Sequence, residues 1–236
     1  MRQRLDRPNL TRLTRLGFVN AYLVHEEAGL TLVDTMISGS ADGIMAAAGE
    51  LGRPLRRIVL THGHGDHVGS LDALSQRLPE AEIAISTRES RLLAGDRVLD
   101  ASEPASKIRG SWPTVSTAPT RLLEPGDRVG SLRVIAAPGH TPGHIALMDE
   151  RDGTLIAGDA YSTLAGISTG GHTNRRFPLV AMATWDRETA NRTAASLRAL
   201  EPAALAVGHG PVIASPAAAM DRALEAVGMA GRRAAA

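Results

Sequence analysis

Thr61-His62-Gly63-His64-Gly65-Asp66-His67-Val68-Gly69 is the stretch on which the reading of this chain turns. Three imidazoles and a carboxylate fall between positions 62 and 67, directly after Arg57-Ile58-Val59-Leu60. That apolar run reads as a short buried strand. Alternate residues of an extended chain share a face, so His62 and His64 can point the same way. Gly65 lets the chain turn, and Asp66 and His67 then open a helix. The helix is expected over Val68 to Leu78, with Val68, Leu71, Leu74 and Leu78 on one face and Pro79 ending it. One short loop therefore offers ligands in two directions, enough for two metal ions. Imidazole and carboxylate are borderline nitrogen and oxygen ligands that suit zinc, and also iron or manganese.

Working outward, residues 10 to 34 read as β-structure. Val19, Ala21 and Leu23, then Leu30 and Leu32, alternate with other residues, and Glu27-Ala28-Gly29 forms the turn between them. Asp34 closes the second run. Residues 40 to 52 read as a helix, with Ser40 at the N-cap and Gly52 as the stop. Ile83-Ala84-Ile85 is a further strand, and residues 87 to 118 are poorly periodic. The second half repeats the order: strands over 131 to 137, 145 to 149 and 154 to 158, a helix over 186 to 200, a strand over 203 to 207, and an Ala-rich helix over 216 to 229. This pattern predicts an α/β chain of two halves whose sheets pack face to face, with helices outside. No Gly/Ser/Pro-rich linker interrupts it, so one domain is expected over 1–236.

Three more chemistry-bearing residues sit at strand ends beside glycine: His140 after Gly139, Asp159 after Gly158, and His209 between Gly208 and Gly210. Glycine permits the tight turns and close backbone approach of a crowded centre. Residues 161 to 183, rich in Gly, Ser and Thr, begin two positions after Asp159 and read as a loop or lid. Leu164, Ile167, Phe177, Leu179 and Met182 give that segment apolar surface. It either faces a substrate or closes the core or a contact between two copies of the chain. Tyr161 is placed to aim a phenol at a substrate. His172 lies in the lid, as a substrate contact or an exposed loop residue. Tyr22 and His25 read as structural.

Composition narrows the function. Lys+Arg of 26 against Asp+Glu of 25 leaves a formal charge of +1, which gives no electrostatic ground for a nucleic-acid or membrane-surface partner. Cysteine is absent, which removes disulfides, cysteine-ligated metals and a cysteine nucleophile. No targeting segment or apolar run of membrane-spanning length is visible, so the cytoplasm is the expected compartment. Aromatic residues are 3% of the chain, so the core must be aliphatic. There is no Gly-x-Ser-x-Gly elbow to support a serine hydrolase.

Thr61-His62-x-His64-x-Asp66-His67-x-Gly69, Pro138-Gly139-His140-Thr141-Pro142-Gly143-His144, Ala157-Gly158-Asp159 and Gly208-His209-Gly210 together resemble the metallo-β-lactamase-fold hydrolase superfamily. The likeness runs from Asp34 to His209, in the family's order. It implies an αββα sandwich of two packed mixed β-sheets flanked by helices. It further implies a dinuclear site at one edge of the sheets, filled by two divalent ions, zinc first and iron or manganese as alternatives. His62, His64 and His140 would hold one ion, Asp66, His67 and His209 the other, and Asp159 would bridge them. Asp34 matches the family's early acidic position, supporting the ligands from behind. His144 falls near the site but outside the ligand set.

The chemistry implied is hydrolysis. Two ions sharing a water lower its pKa from 15.7 to about 7, and the hydroxide attacks a carbonyl of a small ester, lactone, thioester or related substrate. Asp66 would also shuttle the proton. The alternatives are a β-lactamase and a persulfide-dioxygenase-like enzyme with a single iron. Glyoxalase II-like thioesterases add a C-terminal helical domain, whereas 27 residues follow His209 here. Quorum-quenching lactonases carry a tyrosine three positions after the bridging aspartate, where this chain has Ser162.

Overall fold

Seven strands of the first half lie side by side in chain order. In the computed structural model, which describes residues 1–229, they are β1 (Arg2–Arg7), β2 (Leu10–Arg15), β3 (Val19–Glu26), β4 (Gly29–Val33), β5 (Leu55–Val59), β6 (Glu82–Ser86) and β7 (Arg121–Leu123). The first four are antiparallel neighbours, and β4 through β7 are parallel. The second sheet takes β8 (Arg128–Val129), β9 (Leu132–Ala136), β10 (Ile145–Asp149) and β11 (Thr154–Ile156). After a separate hairpin, β12 (Tyr161–Ser162) with β13 (Ser168–Thr169), it is completed by β14 (Ala204–Ala206) and β15 (Ile213–Ala214), in the order β15-β14-β11-β10-β9-β8. Strand β1 is missed by periodicity because its first four residues are exposed and show no alternation.

The helices are α1 (Ala41–Glu50), α2 (Gly65–Val68), α3 (Leu71–Arg77), α4 (Thr87–Leu93), α5 (Leu179–Ala183), α6 (Arg187–Ala199) and α7 (Ala217–Glu225). Strand alternation sorts side chains into layers. Tyr22, Val24, Val33 and Val59 of the first sheet meet Leu132, Val134, Leu147 and Ile156 of the second in an inter-sheet core. Leu23, Leu32 and Ile58 point the other way, onto Ile44, Leu71 and Leu74 of α1 and α3. Met148, Leu155 and Leu205 pack onto Ala194 and Leu197 of α6 and Met220 and Leu224 of α7. The result is the expected αββα sandwich. Among the described residues no helix is long and apolar enough to cross a membrane. The last seven residues of the span read as one domain lie outside the described part.

Two local expectations need correction. The helix read over 68 to 78 is two helices, and the first begins at Gly65. The break follows Gly69, where a β-carbon would collide with the Gly65 carbonyl and the Ser38 amide. Ser70 is tied there to another loop, accepting from the Ser40 amide at 2.8 Å and donating to the Ile37 carbonyl at 2.7 Å. Ser40 stands at the N-cap position of α1 but does not cap it with its side chain. Its hydroxyl donates to the Ile37 carbonyl at 2.7 Å.

Candidate metal centre

Parallel strands β4 and β5, with β11 and β14 across the sandwich, all end at one edge. In open α/β sheets the carboxyl ends of parallel strands are where loops converge on a ligand. Asp34 follows β4, the 61–67 loop follows β5, Asp159 follows β11, and His209 follows β14. His140 arrives from the loop between β9 and β10. The fold brings all seven sequence-predicted ligand residues together. Their donor atoms form three overlapping groups within 4.8 Å: His62, His64 and His140; His62, His67 and Asp159; and Asp66, His67 and His209.

The outer nitrogen of each histidine is held by a group that can only accept, or whose own proton is already used. His64 Nε2–H donates to the Arg109 carbonyl at 3.0 Å, and His209 Nδ1–H to the Phe18 carbonyl at 3.1 Å. His67 Nδ1–H donates to Asp34 Oδ2 at 2.8 Å. The Thr61 hydroxyl donates to Asp34 and so accepts from His62 Nδ1–H at 3.0 Å. The Thr184 hydroxyl donates to the Gly170 carbonyl and accepts from His140 Nδ1–H at 2.9 Å. Fixing a proton outside leaves the inner nitrogens of His62, His64 and His140 with lone pairs aimed at the centre. Burial would lower His67, but Asp159, Asp34 and Asp66 outweigh it and raise the ring well above the ordinary histidine range. Its inner nitrogen, like that of His209, would give up a proton to a bound cation.

Several of those inner atoms lack hydrogen-bond partners in the protein. His62 Nε2, His67 Nε2 and Asp159 Oδ1 are buried with no hydrogen bond. His64 Nδ1 and His140 Nε2 face each other at 3.0 Å, two acceptors in mutual repulsion unless a cation lies with them. The chemistry of this donor set fits metal ions, and the cluster fits a dimetal site. Asp159 touches both halves: Oδ2 is 3.4 Å from His140 Nε2 and 3.3 Å from His209 Nε2, and Oδ1 is 3.5 Å from His67 Nε2. Gly208 lets this carboxylate approach, since a β-carbon there would collide with Asp159 Oδ1. Asp66 Oδ2 lies 3.3 Å from His209 Nε2 and is the one open member, with its side chain 35% exposed.

Electrostatics divide the centre. Burial, then repulsion from neighbouring imidazoles, pushes His62 well below the ordinary histidine range. Burial also drives His140 well down and His64 to about 4, so the three-histidine half is neutral. Burial would also lower His209, but Asp159 and Asp66 outweigh it and raise the ring to about 9. Burial would raise the Asp66 and Asp159 carboxyls, yet His67 and His209 hold both well down.

His144 Nε2 accepts the Asp159 backbone N–H at 3.1 Å, which orients the Asp159 turn from behind. Asp34 is 4% exposed and ties Thr61 to His67, as described above. Tyr161 is not a substrate contact: it is fully buried against the α6–α7 layer, and its hydroxyl donates to the Ala194 carbonyl at 2.8 Å. Strand alternation after Asp159 turns it into the core. His172 is half-buried, its backbone N–H donates to the Thr169 carbonyl, and it joins none of the ligand groups. The presumed lid is partly regular, holding β12, β13 and α5. Within it Ile167 packs on the core, while Leu179 and Met182 are 52% and 60% exposed.

Sequence reasoning names Phe177 as apolar surface of the 161–183 segment but misses the other aromatic walls, Phe18 and Trp112. Phe177 packs on His209 with ring centroids 5.3 Å apart and on Phe18 at 5.6 Å. Trp112 stands edge-on to His64 at 5.0 Å. It belongs to the segment after α4, which also supplies the Arg109 carbonyl to His64 and the Ser111 carbonyl to the Gly65 amide at 2.9 Å. For Phe18 and Trp112 the scarcity of aromatics, with two Phe and two Trp in the chain, was the signal available.

An αββα sandwich with three overlapping His/Asp groups at the strand ends fits a metal-binding hydrolase fold. The chain belongs to the metallo-β-lactamase superfamily, whose family model matches residues 14–209. It is 47% identical over 217 residues to Bacillus subtilis YobT, a protein named as uncharacterized, covering 92% of this chain and 93% of that one. It is 31% identical over 213 residues to the probable metallo-hydrolase YflN of the same organism, covering 81% and 80%. The crystal structure of TTHA1623 in a di-iron-bound form matches with a TM-score of 0.63 and 26% identity, over 87% of this chain and 94% of that one.

Proposed function

We propose that this chain is a dinuclear metal-dependent hydrolase that cleaves a small apolar acyl ester, lactone or thioester. The observation that carries the reading is the tautomer pattern. Five histidines donate a proton outward, and their inner nitrogens converge with Asp66 and Asp159. His62, His64 and His140 would hold one ion, Asp66, His67 and His209 the other, with Asp159 shared. Bound divalent ions supply an acidified water, its pKa lowered towards ~7, and a Lewis acid for the carbonyl oxygen.

The remaining work falls to side chains. Asp66, open to solvent on one side, is placed to take up and pass on a proton at the mouth. Phe18 and Phe177 wall the His209 side and Trp112 the His64 side, so an acyl group enters between apolar faces that exclude water. Leu179 and Met182 extend apolar surface along α5, just beyond Phe177. These contacts favour an uncharged acyl chain over a phosphodiester. The likeness to a probable metallo-hydrolase supports hydrolysis. The likeness to a di-iron protein keeps iron beside zinc and manganese as the ion.

The test is reconstitution of chelator-stripped protein with zinc, iron or manganese. Elemental analysis is then followed by a panel of lactone, thioester, β-lactam and phosphodiester substrates with an oxygen electrode. Two ions per chain and acyl hydrolysis without oxygen uptake are expected. Failure to retain any transition metal, or oxygen uptake with a persulfide and no hydrolysis, overturns the proposal.

A further inference from the structure

Glu89, in the first turn of α4, is fully buried. The adjacent Arg88 does not pair with it, since that guanidinium is taken by Glu103 at 2.7 and 2.9 Å. Glu89 faces donors instead. Oε1 accepts the Gly63 N–H at 2.8 Å. Oε2 accepts the Thr141 hydroxyl at 2.9 Å and the Gly143 N–H at 3.1 Å. Gly63 lies between His62 and His64, and Thr141 follows His140. The carboxylate therefore spans two loops that leave different sheets, one after β5 and one after β9.

Every member of the three-histidine group comes from these two loops and from nowhere else. Asp34 holds His67 of the other half directly and reaches His62 only through Thr61, on the far side from His140. Only an acceptor-only group can take three donors at once, which a carboxylate does and an amide cannot. A buried acid without a cation is costly, and burial pushes Glu89 up to about 7. Its three hydrogen bonds are the compensation.

We propose that Glu89 is the positioning residue of the three-histidine half, setting the spacing of His62 and His64 from His140 without touching metal or substrate. The assignment rests on the metal-binding reading above. Without the carboxylate, the two loops have no shared tie at this point, and the tri-imidazole half loosens while the Asp66–His67–His209 half keeps its own support.

Wild-type, E89Q and T141V proteins would be titrated with zinc against a chelator, and the imidazole nitrogen resonances of ¹⁵N-histidine-labelled samples followed. In E89Q the affinity of one ion is expected to fall about 10–100-fold, the usual effect of losing an outer support. The resonances of His62, His64 and His140 should then respond last. T141V, which removes one of the three hydrogen bonds, should shift the same site in the same direction by less. If wild-type binds two ions and both variants fill both halves with native affinity and spectra, even with a lowered Tm, the carboxylate is merely structural and the proposal fails alone. If wild-type binds no ions, the metal-binding reading and this assignment fail together. Should E89Q not fold, T141V decides by the same criterion.

Discussion

Replacing Asp34 by asparagine exchanges one oxygen for an amide nitrogen and tests the architecture of the centre. Asp34 has a positive φ of 62°, a conformation asparagine tolerates well, so the backbone is not perturbed. The carboxylate accepts the Thr61 N–H at 2.8 Å, the Thr61 hydroxyl at 2.8 Å and His67 Nδ1–H at 2.8 Å. An amide offers one acceptor and one donor side. If the amide nitrogen faces His67, the ring must accept at Nδ1 and carry its proton on Nε2, the nitrogen aimed at Asp159. The lost charge-assisted bond is worth about 1.5–3 kcal/mol. At 1.4 kcal/mol per tenfold, that predicts roughly 12- to 140-fold weaker binding of the ion held with His67. If the amide turns the other way, the buried Thr61 N–H is stranded at a cost of about 1–3 kcal/mol. For a chain of this size that lowers Tm by about 2–12 °C. Chelator competition and scanning calorimetry on the same samples read both outcomes. Native affinity for both ions together with an unchanged Tm would refute the role given to Asp34.

Asp159→Ala should lose at least one ion and nearly all turnover while keeping its far-UV spectrum, because the carboxylate faces both halves; full metal content and rate would contradict the shared role. Metal-free protein should be most stable near pH 6.5. Below it, the unfolded chain protonates histidines that stay neutral when folded, such as His64 at about 4, so stability falls with acid. Above it, His209, held up to about 9, loses a proton it keeps longer folded than unfolded, so stability falls with base. Glu89 opposes the acid limb, but it is one group against five lowered histidines. A flat Tm from pH 5 to 9 in chelator would exclude this balance. Phe177→Ala should raise KM for longer acyl chains more than for short ones with metal content intact; an unchanged chain-length preference would remove Phe177 from the substrate wall.

The layers of the sandwich were legible because alternation is a local property. Tyr22 and Leu23 differ by one position and therefore go to different cores, whatever the rest of the chain does. Where burial is weak the signal fails, as at β1, and where backbone contact with a distant loop intervenes it misleads, as at Gly69. The position after Asp159 misled in another way, since sequence adjacency placed Tyr161 near the centre while the strand turned its side chain into the core.

The ligand residues were written into the sequence for a related reason. Each must stand at the end of a strand, beside a turn, and each must be His or Asp, so type and place are both local. Their supports are of another kind. The Arg109 and Phe18 carbonyls carry no side-chain signature at all. Glu89, Thr184 and Phe177 are ordinary residues whose roles come from meeting His-bearing loops tens of positions away. The tautomer of every histidine, and with it the direction of every lone pair, is set by those meetings. The sequence by itself determined which groups can bind metal. The packing of two sheets face to face decided where their protons sit, because a hydrogen bond across the fold depends on distances no local pattern encodes.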